Sequence, residues 1–360
     1  MGNERTFVGL DVHAWSVTGH AVDTVTGEVW RRKLTPDRAD VCGWVLGLPG
    51  PVKVVYEAGP TGYGLFRHLN DHGVSCVVAA PSKVQRPAGD RVKTDARDAA
   101  LLARLLKLDE IVEVTVPSVE QEAARDLVRA REDVRADLMR ARHRLSKMLL
   151  RQGIVYAGGK SWTGVHDVWL RRQRFDLPGR QQAYDAAYEA VQQVTDRRAR
   201  LDAAIVAMAA DSTYTPLTRR LCCLRGISTL TGFGLAVEIG DWTRFSGSTI
   251  GAFVGLVPTE HSSGNSRFQG SITKTGNSHA RRLLVEAAWQ HAKPYRTPGK
   301  TMRDRWELAP APARLRGHQG NQRLHERWQR FTARKKNPVI ANVAIARELA
   351  GWAWSLAVLE

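Results

Sequence analysis

TFVGLDV (Thr6–Val12), SVTGHAV (Ser16–Val22) and EVWRRKL (Glu28–Leu34) follow one another with only HAW and DTVTG between them. Each segment is short, rich in β-branched and apolar residues, and bounded by turn formers, so each is predicted to be a strand. Connections this short leave no room for a crossover helix, so the three strands form an antiparallel meander. Further along, Val52–Tyr56 (VKVVY) and Val74–Ala79 (VSCVVA) read as two more strands. Helical segments at Arg38–Leu46, Tyr63–Asp71 and Thr94–Leu108 separate and follow them.

Three strands, then helix, strand, helix, strand, helix is the order of a ribonuclease-H-like α/β sheet. A doubly wound parallel sheet fits less well, because it needs a helix between its first strands. This reading covers residues 1–115. The next part, 116–215, is predicted to be two long helices. Ser118 and Gln121 have the spacing of a capping box. Leu127, Val134, Leu138, Leu145 and Met148 then recur at heptad-like intervals. In Gln181–Ala210, Tyr184, Tyr188, Val191, Thr195, Arg198, Ile205 and Met208 share one stripe. Two such helices suggest an antiparallel hairpin or a dimeric coiled coil, with a plain helical bundle as the alternative. Residues 216–360 read as a mainly α-helical domain. Leu221–Asp241 is helix, glycine turn, helix, like a helix-hairpin-helix element, and Asn337-Pro338 starts a final buried helix. The stretch 292–336, rich in Arg, His, Pro and Gly, is expected to loop over the surface.

Composition narrows the function. With 43% hydrophobic and 25% charged residues the 360-residue chain is globular, and its four cysteines form neither a disulfide framework nor a zinc knuckle. No apolar run is long enough to span a bilayer, and the N-terminus lacks the pattern of a signal peptide, so a reducing cytoplasm is expected. The net charge of +17 is unevenly spread. Residues 1–120 hold 14 Lys and Arg against 15 Asp and Glu, whereas residues 121–360 hold 39 against 21. A near-neutral first domain followed by a basic, Arg-rich remainder points to a polyanionic partner, nucleic acid above all.

Four carboxylates stand where chemistry is expected. Asp11 lies inside an apolar strand, Glu57 ends VKVVY, and Asp95 and Asp98 project from one face at the start of a helix. Each alone could be a paired acid or a helix N-terminal charge. In a ribonuclease-H-like sheet the four converge at one edge, where they would hold two divalent metals about 4 Å apart for phosphoryl transfer. His68 and His72, four apart, lack a third ligand and read as surface residues.

GLDVH, YEAGPTGYGL and KTDARDAALLARLL, followed in order by LRGISTLTGFGLAVEIGDWTRF, AFVGLVPTEHSSGNSRFQGSITKTGNSHARRLLVEAAW and KKNPVIANVAIARELA, resemble the DEDD transposases of insertion sequences. That family is related to the Piv site-specific DNA invertases and to RNA-guided (bridge RNA) recombinases. The resemblance implies a RuvC-like first domain, with metal ligands at Asp11, Glu57, Asp95 and Asp98 and Mg²⁺ or Mn²⁺ as the metal. It also implies a serine nucleophile in the SSG segment, at Ser263 with Ser262 as rival and His261 beside them. Arg225, Arg267, Lys274, Arg281 and Arg282 are the expected nucleic-acid contacts. Expected partners are double-stranded donor and target DNA, a guide RNA and further copies of the chain, as a homodimer or homotetramer at a prokaryotic nucleoid. A hydrolytic nuclease of the Holliday-junction-resolvase kind and a non-catalytic nucleic-acid-binding protein are the rival readings.

Overall fold

The computed structural model describes residues 4–85, 94–263 and 266–359, with His261, Ser263, Ser266 and Arg267 described in backbone only. The chain forms two compact units, Met1–Pro117 and Ser118–Glu360.

The first unit contains β1 (Thr6–Val12), β2 (Val17–Asp23), β3 (Val29–Leu34), α1 (Arg38–Leu46), β4 (Val52–Glu57), α2 (Gly64–Asp71), β5 (Ser75–Ala79) and α3 (Asp95–Lys107). Its mixed sheet has the order β3-β2-β1-β4-β5. β1 is central, antiparallel to β2 and parallel to β4, the arrangement of a ribonuclease-H-like fold. Val8, Leu10, Val17, Val54, Tyr56 and Val78 are fully buried and pack with α1 and α2 residues such as Val41, Val45 and Leu69. α3 packs against β1, burying Leu102 and Leu106 with Val55. The two edges of the sheet differ. Ala80 N–H donates to Val112 O and Val114 N–H to Val78 O, strapping residues 112–114 along β5. β3 forms the other edge and exposes Arg31, Arg32 and Lys33 in succession.

The second unit is helical apart from one hairpin. α4 (Val119–Arg151) and α6 (Pro178–Ala210) have 33 residues each, about 50 Å of helix, and α5 (Gly164–Arg171) lies between them in sequence. Leu138, Leu145 and Leu149 pack with Tyr184 and Val191, while Ala124 and Val128 pack with Ile205 and Ala209, so the two long helices run antiparallel within the chain. Ser118 Oγ caps α4 by accepting from Gln121 N–H at 3.1 Å. The return half of the expected capping box is missing, because the Gln121 amide donates to Val237 O at 2.9 Å.

α7 (Thr215–Leu221), α8 (Thr229–Ile239), α9 (Ile250–Phe253), the hairpin β6 (Pro258–Ser263) and β7 (Ser266–Ile272), α10 (Ser278–Ala288), α11 (Lys300–Trp306), α12 (Ala311–Ala333) and α13 (Pro338–Ala357) complete the chain. Leu235, Leu284, Leu324, Ile345 and Leu349 share their core. Asn337 Oδ1 accepts from Val339 N–H at 2.9 Å and starts α13 as expected. The expected surface loop at 292–336 is instead largely α11 and α12. The buried face of α12 is built from Ala313, Gly317, Gly320, Asn321, Leu324 and His325 rather than a row of aliphatics. Among the described residues no helix is long and apolar enough to cross a membrane.

Candidate active site

β1 and β4 run parallel in a register that ends at Leu10↔Tyr56. The next step sets Asp11 beside Glu57, at the same end of neighbouring strands and on the same face. Two residues before Asp11 and on that face too, Gly9 lets α3 approach. A Cβ added there would lie 2.1 Å from Ala99 O and 2.5 Å from Ala103 N. Thr94 caps α3, its side chain accepting from Arg97 N–H, and the first turn carries Asp95 and Asp98. A glycine in the central strand thus seats the helix that carries two of the four acids.

The result is a cluster of donors. His13, in the turn after β1, places Nε2 3.2 Å from Asp11 Oδ2 and 3.9 Å from Asp95 Oδ1. One ligand atom from each of Asp11, His13 and Asp95 lies within 4.8 Å of the other two. Burial raises the Asp11 carboxyl above its ordinary value, His13 works against this, and the charges of Asp95 and Asp98 raise it further. Asp98 is therefore near enough to be felt, and half-buried like Glu57. Partly desolvated acids that repel one another are stabilised by a cation, and carboxylate oxygens with an imidazole can hold a divalent one. Of the four predicted acids the structure brings Asp11 and Asp95 together, with His13; Asp98 is felt by Asp11 but stands outside that group, as does Glu57, one step past the last paired residues of β1 and β4. His13 was not singled out by sequence reading. The only local signal was its place two residues after a buried strand acid.

The predicted serines lie in the β6–β7 hairpin, with Ser262 paired to Arg267 and Ser263 to Ser266. The exposed Ser262 Oγ donates to Glu260 Oε1 at 2.9 Å. The side chains of Ser263, His261 and Arg267, and Gly264 itself, lie outside the described residues. Of the other expected phosphate contacts, Arg225 donates to Lys293 O and Pro294 O, and Arg281 to Val254 O and Thr275 O. Arg282 pairs with Glu132 and Glu286. These three guanidiniums hold the unit together, whereas Lys274 is exposed.

A buried ionic hub also lies in the second unit. Glu238, at the end of α8, accepts from Arg129, from Asn277 Nδ2 at 2.7 Å and from His279 Nδ1 at 3.1 Å. His279 Nε2 is 3.7 Å from Glu132, which also pairs with Arg135. Burial alone would raise both carboxyls. Bonds from His279, Arg129 and Asn277 instead hold Glu238 well below the usual range, and His279, Arg135 and Arg282 bring Glu132 down to about 2. Burial pulls His279 down, but the two carboxylates outweigh it and its value is raised.

A model of DEDD transposases of IS110 elements, described as "Transposase", matches residues 8–153, and that of the "Transposase IS116/IS110/IS902 family" matches residues 218–306. The y4qE protein of Sinorhizobium fredii is 40% identical over 303 residues, 84% of this chain and 74% of that one. The transposase for insertion sequence element IS1533 of Leptospira borgpetersenii is 30% identical over 346 residues, 92% of this chain and 98% of that one. The transposase for insertion sequence element IS1328 of Yersinia enterocolitica is 25% identical over 292 residues, covering 79% and 83%. Two matched regions, in order, and relatives aligned over most of both chains place this chain in the IS116/IS110/IS902 family of DEDD transposases of insertion sequences.

Proposed function

We propose that the chain cuts and rejoins DNA through a phosphoserine intermediate, with Asp11, Glu57, Asp95 and Asp98 as ligands of Mg²⁺ or Mn²⁺ and Ser263 as nucleophile. The observation that carries the metal reading is the convergence of Asp11, His13 and Asp95 within 4.8 Å, with Glu57 one step past the paired register of the neighbouring strand. When bound, the metal supplies charge stabilisation at the scissile phosphate. Asp11, from the central strand, and the first turn of α3 would fix where that metal sits. Ser263 Oγ attacks phosphorus: the Oγ–P bond forms, a P–O bond of the strand breaks, and the leaving oxygen takes up a proton. The ester keeps the energy of the broken bond, so reversal with a new strand end rejoins DNA without an external energy source.

In this reading residues 1–115 hold the metal, residues 116–215 form the helical connection and residues 216–360 present the serine. The basic charge beyond residue 120 supports binding of donor and target duplexes and of an element-encoded guide RNA; the acting form in this reading is a homodimer or homotetramer at the nucleoid. A nicked suicide substrate tests the chemistry. A protein–DNA ester that survives denaturation, disappears in Ser263→Ala and leaves a trace in Ser263→Cys is the expected result. An adduct lost only in Ser262→Ala moves the nucleophile by one residue. Cleavage with no adduct, unaffected by either substitution, replaces this reading with simple hydrolysis.

A further inference from the structure

His68 and His72 have no third ligand nearby in sequence, but the fold supplies one. Cys42 is buried on α1, and α1 packs against α2, which carries His68 and ends beside His72. Cys42 Sγ, one ring nitrogen of His68 and one of His72 all lie within 4.8 Å of one another. The two imidazole centroids are 4.4 Å apart. His72 Nδ1 is 2.8 Å from the carbonyl oxygen of His68. A carbonyl only accepts, so Nδ1 bears the hydrogen and the neutral ring keeps its lone pair on Nε2. Such a backbone bond is the usual device that orients a metal-ligating histidine. Cys42 is buried, His68 half-buried and His72 exposed, so the cluster opens to solvent on one side, where water can be a fourth ligand.

We propose that Cys42, His68 and His72 form a zinc site that ties α1 to α2 and is independent of the carboxylate cluster. One thiolate and two imidazoles suit borderline-soft Zn²⁺, whereas Mg²⁺ demands oxygen. Tetrahedral zinc, with bonds of roughly 2.0–2.3 Å, draws its donors to within about 4 Å of one another, a small side-chain adjustment from the observed spread. On binding, the Cys42 S–H proton goes to solvent and an S–metal bond replaces it. Among the described residues, Cys76, Cys222 and Cys223 stand in no such group.

The full-length protein, stripped with chelator, is titrated with Co²⁺ in excess Mg²⁺. One equivalent should develop a thiolate-to-cobalt charge-transfer band, and Zn²⁺ should bleach it. Cys42→Ser should abolish the band, and Asp11→Asn should leave it unchanged. His72→Ala, at an exposed position where folding is not at stake, should weaken cobalt binding about tenfold or more, since even outer partners of metal ligands cost that much. A titration without the band, a band that survives in Cys42→Ser, or one lost in Asp11→Asn overturns the proposal. If Cys42→Ser does not fold, the wild-type spectrum and the His72→Ala affinity decide it.

Discussion

Arg129 grips the buried carboxylate of Glu238 with two parallel bonds, Nε to Oε1 at 2.9 Å and Nη2 to Oε2 at 3.0 Å. Arg129 lies on α4 and Glu238 at the end of α8, so a paired charge joins the long helix to the helices that follow. Arg129 is exposed and only Glu238 is buried, so removing Arg129 leaves that buried carboxylate less compensated.

Arg129→Met should therefore destabilise the second unit by about 1–2 kcal/mol, less than for a fully buried pair, because Arg129 is itself exposed and Asn277 and His279 still reach Glu238. Urea unfolding measures this, and Arg129→Met/Glu238→Leu should recover part of the loss. An unchanged midpoint in the single variant would show that the pair contributes nothing.

The same hub sets a pH dependence. Glu238 and Glu132 are depressed from 4.5, Glu132 to about 2, so their contribution is full above about pH 4.5 and lost as pH falls through the folded values. His279 is raised from 6.5, so its contribution is full below about pH 6.5 and lost as pH rises through its folded value. Urea midpoints across pH should thus peak in the mildly acidic range and decline on both sides. His279→Gln should remove the alkaline decline and keep the acid one; an unaltered alkaline limb would remove His279 from the account.

Gly9→Ala brings a methyl group against the backbone of α3, at 2.1 Å from Ala99 O. Overpacking of this kind costs about 1–3 kcal/mol. Because the displaced helix carries Asp95 and Asp98, strand cleavage should fall more than thermal stability does. Circular dichroism melting and a nicking assay on the same sample separate the two, and unchanged cleavage would detach Gly9 from the site.

Asp11→Ala, Glu57→Ala or Asp98→Ala should abolish strand cleavage while DNA binding, which the proposed function assigns to the basic remainder of the chain, should stay near normal. His13→Ala should reduce cleavage more gently, about 10–100-fold, and raise the metal concentration needed. Normal turnover by Asp11→Ala with Mg²⁺ would end the metal-site assignment.

The first unit was legible to within about a residue at each strand, because TFVGLDV and VKVVY carry a strong local apolar signal between turns. α12 was not, since glycines at 317 and 320 occupy its buried face, one meeting Cys223 and the other Trp352. The β6–β7 hairpin escaped because EHSSGNSRF offers no apolar alternation, and Phe268 is exposed. Glu238 ends a nearly apolar run, which does announce a buried acid. Its partners Arg129 and His279 lie 109 and 41 residues away, beyond any local pattern. The positions of the four acids on strands and at a helix start were readable, while His13, which joins Asp11 and Asp95, depended on a turn whose geometry only the folded chain shows.

The strap of residues 112–114 along β5 and the cations on β3 together bear on self-association. A sheet grows by offering unpaired backbone groups to a second strand. Here the far end of one border already has backbone partners at Val78 and Ala80, and a second copy approaching the other would bring Arg31, Arg32 and Lys33 against the same three cations. Like charge at that border works against strand-by-strand pairing between crowded copies of this chain.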